Sequence, residues 1–156
     1  MTLRFASFLT LILFAACKAP SLDAFEQNIP IKGGAWAYTA KPSVNFNITD
    51  TASLYNVSVV CRHTDSYAYK NIWLFIAFQR PGDTVARRDR FELTLQDNNG
   101  RWYGTGMDDI WEQRIPLFKN IHFNRPGPYT VTFEQDMRDN VLKGVLDIGL
   151  RVEKAP

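Results

Sequence analysis

The chain has 156 residues, of which 46% are hydrophobic, 13% aromatic and 22% charged, with a formal net charge of +2. That length supports one domain with a sizeable core. Acidic and basic residues are interspersed rather than gathered into a basic stripe, which excludes the electrostatic footprint of a nucleic-acid binder. The two cysteines, Cys17 and Cys61, are too few for a disulfide framework or a cysteine zinc site.

An uncharged apolar run from Phe5 to Ala16 follows Arg4 and falls short of the ~20 residues that span a bilayer, so it reads as an export signal. It closes on Leu13-Phe14-Ala15-Ala16-Cys17, which has the form of a bacterial lipoprotein cleavage box. Small side chains at Ala15 and Ala16 admit the backbone to a peptidase cleft, and the next residue offers a thiol to a diacylglyceryl group. Phe14 stands where such boxes usually carry Leu. An ordinary secretory cut near Ala16 is the plainer alternative, and it leaves Cys17 free to pair with Cys61 in an oxidising compartment. The lipoprotein reading divides the chain into a signal peptide (1–16), a lipidated N-terminus and tether (17–28) and one domain (29–156). Cys17 is then the lipid-attachment site, where several acyl chains, palmitate among them, give stable anchoring that one chain would not.

Beyond the tether, apolar residues recur at a spacing of two, the period of a half-buried strand. Val44, Phe46 and Ile48 alternate with Asn45, Asn47 and Thr49. The pattern returns at Tyr55, Val57, Val59 and Cys61, at Phe91, Leu93 and Leu95, at Tyr129, Val131 and Phe133, and at Leu146, Ile148, Leu150 and Val152. Asn71 to Phe78 is nearly continuous apolar chain, as expected of a central strand covered on both faces. Asp97-Asn98-Asn99-Gly100 is a strong hairpin signal, and Pro81-Gly82-Asp83 and Arg125-Pro126-Gly127-Pro128 punctuate the chain elsewhere. Met137 to Lys143 reads as one helical turn. These elements predict an all-β fold, an antiparallel β-sandwich of jelly-roll or immunoglobulin-like type with about eight strands behind a cleaved signal peptide.

Little in the chain carries chemistry. His63 and His122 belong to no zinc-binding or nucleophile-activating spacing, and no Gly-x-Ser-x-Gly elbow occurs. His63, between Arg62 and Thr64, reads as an exposed strand-end residue. No catalytic residue, metal ligand or cofactor site is therefore expected. Asp97 to Gly100 and Asp108-Asp109 contain oxygen ligands of the kind calcium takes, but the first is explained by its turn and lacks the closing acidic residue of an EF-hand loop, and the second lies in a segment whose pattern predicts no geometry. Asn47-Ile48-Thr49 and Asn56-Val57-Ser58 match a glycosylation sequon that a bacterial lipoprotein would leave unused. Cys61, in an apolar run, reads as buried and inert. Trp36, Trp73, Trp102 and Trp111, with Tyr67, Tyr69 and Tyr103, either fill a sandwich core or line a face for sugar stacking. The second use would make the domain a carbohydrate- or peptidoglycan-binding module.

Tyr67-Ala68-Tyr69-Lys70-Asn71-Ile72, Gly100-Arg101-Trp102-Tyr103-Gly104-Thr105-Gly106 and Gly127-Pro128-Tyr129 follow one another in an order that resembles a known family. Gln135-Asp136-Met137-Arg138 and the run from Leu142 to Arg151 extend the match. With the box at Cys17, the sequence resembles the gliding motility lipoprotein GldH family of the Bacteroidetes. The resemblance implies a non-enzymatic envelope lipoprotein required for gliding, associated with the type IX secretion machinery and docking to other envelope proteins. It implies a membrane anchor through the N-terminal lipid, with no nucleic acid among the partners. The one family site that maps by residue is the acylated cysteine, onto Cys17. Lys18-Ala19-Pro20 is not an obvious acidic surface-export signal, so the expected location is the outer membrane, facing the periplasm.

Overall fold

The computed structural model describes residues 24–156. Eleven strands form among them: β1 (Ala24–Pro30), β2 (Ala35–Ala37), β3 (Ser43–Ile48), β4 (Tyr55–Thr64), β5 (Asn71–Gln79), β6 (Arg87–Thr94), β7 (Thr105–Met107), β8 (Ile110–Ile121), β9 (Gly127–Gln135), β10 (Val141–Lys143) and β11 (Val145–Lys154). One sheet has the order β1-β11-β4-β8-β7 and the other β3-β9-β5-β6, with β2 and β10 forming a small separate ladder.

The three short strands set aside, eight remain, and their pairing distinguishes the two expected sandwich types. β1 pairs with β11, β3 with β9, β4 with β8 and β5 with β6, all antiparallel. The first half of the chain thus lies against the second half in reverse order, as in one long hairpin rolled into two sheets. That is the jelly roll. An immunoglobulin-like sandwich would instead divide its strands between sheets as consecutive hairpins.

The alternation read from sequence becomes the core. Val44, Phe46 and Ile48 on β3, Tyr55, Val57, Val59 and Cys61 on β4, and Tyr129, Val131 and Phe133 on β9 are all buried between the sheets. On β11 a register shift between Val145 and Asp147 changes the phase, so Val145 takes a core position and Leu146 is only half-buried. Burying such a side chain contributes roughly 1.5–3 kcal/mol, whereas an exposed ion pair contributes about 0–1 kcal/mol, so the fold rests on this layer rather than on its charged surface.

β5 is central, between β6 and β9, but it is not covered on both sides by protein layers. Ile72, Leu74 and Ile76 face the core, while Trp73 and Phe75 point outward. Two guanidinium groups on β6 cover these rings, Arg90 lying 4.0 Å over Trp73 and Arg88 lying 3.4 Å over Phe75. The predicted helical turn is also absent. The buried Gln135 closes residues 136–140 as a loop, its Nε2 donating to the Asp139 carbonyl and its Oε1 accepting from the Met137 N–H, and Val141–Lys143 continues as strand β10.

Residues 24–28, read from sequence as tether, belong to β1. Its pairing with β11 runs unbroken from Ala24↔Glu153 to Pro30↔Asp147. Gly149 makes this possible, since a Cβ there would collide with Asn28 Oδ1 and the Gln27 carbonyl. β8 was hidden from the pattern by Pro116, a residue that sheets admit only at edges or irregularities. The register against β4 is indeed irregular there, shifting on either side of Val57↔Phe118.

Candidate functional site: the tether end of the sandwich

The rolled hairpin gives the sandwich two different ends. At one, the chain enters β1 at Ala24 and leaves β11 at Lys154, and loops 49–54, 80–86 and 122–126 connect the strands. Aromatic rings close this end. Phe46 stacks on Tyr129 at 5.4 Å and lies 5.7 Å from Phe25, and Phe123 meets Phe46, Tyr55 and Tyr129 edge-on at 5.7, 5.2 and 4.9 Å. The tilted and edge-on geometries suit the aromatic quadrupole, and such pairs add about 0.5–1.5 kcal/mol beyond area burial.

Beside Phe123 the two sheets part to leave a cleft of about 260 Å³. Its apolar lining includes Val57, Phe78, Phe118 and Ile121, with Arg80, Arg87, Arg125 and His122 around the mouth. Two carboxylates answer the three guanidinium groups. Asp83 accepts from Arg80 at 2.7 Å and from Arg125 at 2.7 Å, and Asp89 accepts from Arg87 at 2.7 Å. The hydrogen bonds from Arg80, then from Arg125, hold the Asp83 carboxyl below the usual carboxylate range. The Nη groups of Arg80 and Arg87 donate to nothing among the described residues.

The far end is closed by polar turns and one buried imidazole. Asp97 Oδ1 accepts the backbone N–H groups of Asn99 and Arg101, and Gly100 holds a φ of 84°, so the predicted hairpin turn forms. His63 is not exposed as expected but 0% accessible. It shares the inward phase of Tyr55, Val57, Val59 and Cys61, and this periodicity overrides its polar neighbours Arg62 and Thr64. Its ring lies 4.6 Å from Trp102 and 5.7 Å from Tyr67, and its Nδ1 is 2.8 Å from the Thr64 carbonyl. Nε2 is buried with no hydrogen-bond partner among the described residues, and desolvation pushes the imidazole pKa down.

Both outer faces are laced with ion pairs. On the four-stranded sheet, Glu134 takes Arg88 at 3.0 Å and Lys41 at 3.2 Å, and Asp136 takes Arg90 at 2.6 Å. On the five-stranded sheet, Glu26 of β1 receives Arg114 at 3.1 Å and Arg151 at 3.0 Å. The hydrogen bond from Arg114 leads the effects that lower the Glu26 pKa. Arg62 reaches Asp147 at 2.6 Å, which compensates a mostly buried carboxylate.

The predicted lipid-attachment residue, Cys17, lies outside the described residues. Cys61 is fully buried, and burial pushes its thiol up to about 12, so it is not a nucleophile at neutral pH. The tryptophans do not form an exposed row. Trp36 is buried and donates to the Ala40 carbonyl, Trp73 lies under Arg90, Trp102 packs on His63, and Trp111 lies against Gly106. His122 is exposed at the cleft mouth and hydrogen-bonds to no described carboxylate or hydroxyl. Among the described residues no group of three or more His, Cys, Asp and Glu side chains is placed to hold a metal, and no helix is long and apolar enough to cross a membrane. Sequence reasoning missed the cleft, whose lining comes from five strands and two loops.

The fold and its surfaces define a jelly-roll domain that offers ion-paired faces and an open apolar cleft at the end where the described chain enters. The family model for the GldH lipoprotein matches residues 23–152, and the chain belongs to that family. It is similar to a protein of Christiangramia forsetii described as a gliding motility lipoprotein GldH homolog, at 28% identity over 97% of this chain and 94% of the relative. It is also similar to the gliding motility lipoprotein GldH of Flavobacterium johnsoniae, at 24% identity over 92% of this chain and 91% of that protein. A solved structure of infectious bursal disease virus, Gx strain, aligns at 12% identity over 83% of this chain and 28% of that one, with a TM-score of 0.27, too loose a match to bear on the fold.

Proposed function

We propose that this chain is a non-enzymatic envelope lipoprotein of the gliding apparatus, held to the membrane by acyl chains on Cys17 and acting by docking to envelope proteins. The observation that carries this reading is the match, over nearly the whole length on both sides, to relatives named as gliding motility lipoproteins. The lipoprotein box at Leu13 to Cys17 agrees with it. Confinement to a membrane raises the effective concentration of tethered partners, so modest interfaces suffice for assembly. The proposed location is the outer membrane, facing the periplasm, in association with the machinery that also serves type IX secretion. The packing of all four tryptophans counts against the carbohydrate-module alternative.

The test replaces the gene with a Cys17→Ala form and scores cell spreading, secreted proteins and membrane fractionation together. The expected result is loss of spreading with the protein no longer in the membrane fraction. Full spreading by a soluble, unacylated form would defeat the anchoring argument. Crosslinking in intact cells that enriches no envelope protein would defeat docking.

A further inference from the structure

The cleft at the tether end, though no motif announced it, has the chemistry of an amphiphile site. Its walls are Phe78, Phe118, Ile121 and Val57, and three guanidinium groups stand at its mouth against two carboxylates. These ion pairs are exposed, with the Arg80, Arg87 and Arg125 side chains 58%, 83% and 48% accessible, so they hold weakly and leave the guanidinium groups able to take another anion. A phosphate diester offers one, and the Nη groups left undonated on Arg80 and Arg87 are oriented donors for it.

Position supplies the second argument. Residues 17 and 24 are joined by chain that spans at most ~25 Å when fully extended. Ala24 sits at the same end of the sandwich as Ile121, three strands away across the sheet, or ~15 Å. A membrane anchored at residue 17 is therefore within reach of the cleft. Leu54 and Val85, both exposed, stand on two loops of the same end. We infer that the cleft seats an anionic phospholipid of the membrane carrying the anchor, its phosphate on Arg80, Arg87 and Arg125 and an acyl segment against the touching rings of Phe78 and Phe118 and the side chain of Ile121. The domain would then be oriented on the membrane by two points rather than swinging on one. This rests on the proposed acylation of Cys17, and the experiment below reads the two separately.

The full-length lipidated protein is reconstituted into phosphatidylethanolamine vesicles, with or without phosphatidylglycerol, doped with a phospholipid bearing a photoactivatable acyl chain. Adducts are mapped by mass spectrometry, and the mass of the N-terminal peptide reports acylation of Cys17 in the same sample. The expected result is labelling of the segments around Phe78 and Phe118–Ile121 that depends on phosphatidylglycerol. It falls by about tenfold when Arg80, Arg87 and Arg125 are all changed to Gln. Arg87→Glu, at a largely exposed side chain, weakens the same labelling without risk to folding. An acylated N-terminus with an unlabelled cleft overturns the inference, as does labelling indifferent to phosphatidylglycerol and to both variants. An unacylated N-terminus with a labelled cleft removes the tether and leaves the lipid site standing. Cleft crosslinks in intact cells that go to a protein and not to lipid assign the site to a protein partner and overturn it.

Discussion

The two ends of the sandwich are closed by different physics. At the tether end, rings meet rings around Phe123 and the charges outside them are loosely paired. At the far end, a buried imidazole with a nitrogen unpartnered among the described residues is packed among Tyr67 and Trp102, and backbone turns are fixed by side-chain hydrogen bonds. The first arrangement depends chiefly on the shape of its rings. The second depends on protonation state and geometry.

The largest blow to this contrast is Phe123→Ala, which removes a buried ring meeting three others and should cost about 3–5 kcal/mol in denaturant unfolding. Hydrogen exchange should rise in loops 49–54 and 122–126 first. A uniform rise across both ends would mean that the closures are not independent. Next comes Gly149→Ala, whose Cβ meets Asn28 and the Gln27 carbonyl. It should cost about 1–3 kcal/mol, with faster exchange of β1 amides as the readout.

At the far end, Tyr67→Phe deletes the hydroxyl that donates to the Asn71 carbonyl at 3.0 Å, and should cost about 0.5–1.5 kcal/mol. Acid should act there too. Because the folded-state pKa of His63 lies below its ordinary 6.5, the unfolded chain takes up a proton that the folded chain refuses. The stability contributed by neutral His63 is whole above that value and is lost as pH falls through it towards the lower folded value. Unfolding curves between pH 7.5 and 5.5 should show this loss, and His63→Phe should flatten it; an unchanged slope would remove the acid-sensitive far end from the comparison. The smallest effect belongs to Arg88→Gln on the outer face, about 0.5–1 kcal/mol from its stacking on Phe75 and less from its exposed bond to Glu134.

The long strands were legible wherever one face is buried and the other wet, as on β3, β4 and β9, because alternation is then the direct imprint of the two environments. The same phase, carried two residues past Cys61, would have placed His63 inside; its charged neighbour Arg62 distracted from a signal that was present. Three-residue strands such as β2 and β10 are too short to carry a period. β8 was hidden by Pro116, and the first residues of β1 by their resemblance to tether. The guanidinium cover over Trp73 and Phe75 needs the β5–β6 register, which puts Trp73 opposite Glu92 and Phe75 opposite Arg90 and is invisible in either strand alone. The cleft was least legible of all, since residues as distant as Val57, Phe78 and Ile121 meet only after the hairpin has rolled. The proposed lipid attachment at Cys17 is the opposite case, an expectation read wholly from local sequence.

The unbroken register of β1 with β11 has a mechanical meaning. A pull on the chain ahead of Ala24, with the domain held at its far end, would run along the axis of β1 and load all seven strand residues from Ala24 to Pro30 together in shear. Bonds loaded in parallel must fail at once, whereas bonds peeled from one end fail in turn. The Glu26 ion pairs to Arg151 on the neighbouring strand and to Arg114 further across the sheet spread that load sideways. The strand that follows the proposed anchor is thus paired in the geometry that best resists tension along its axis.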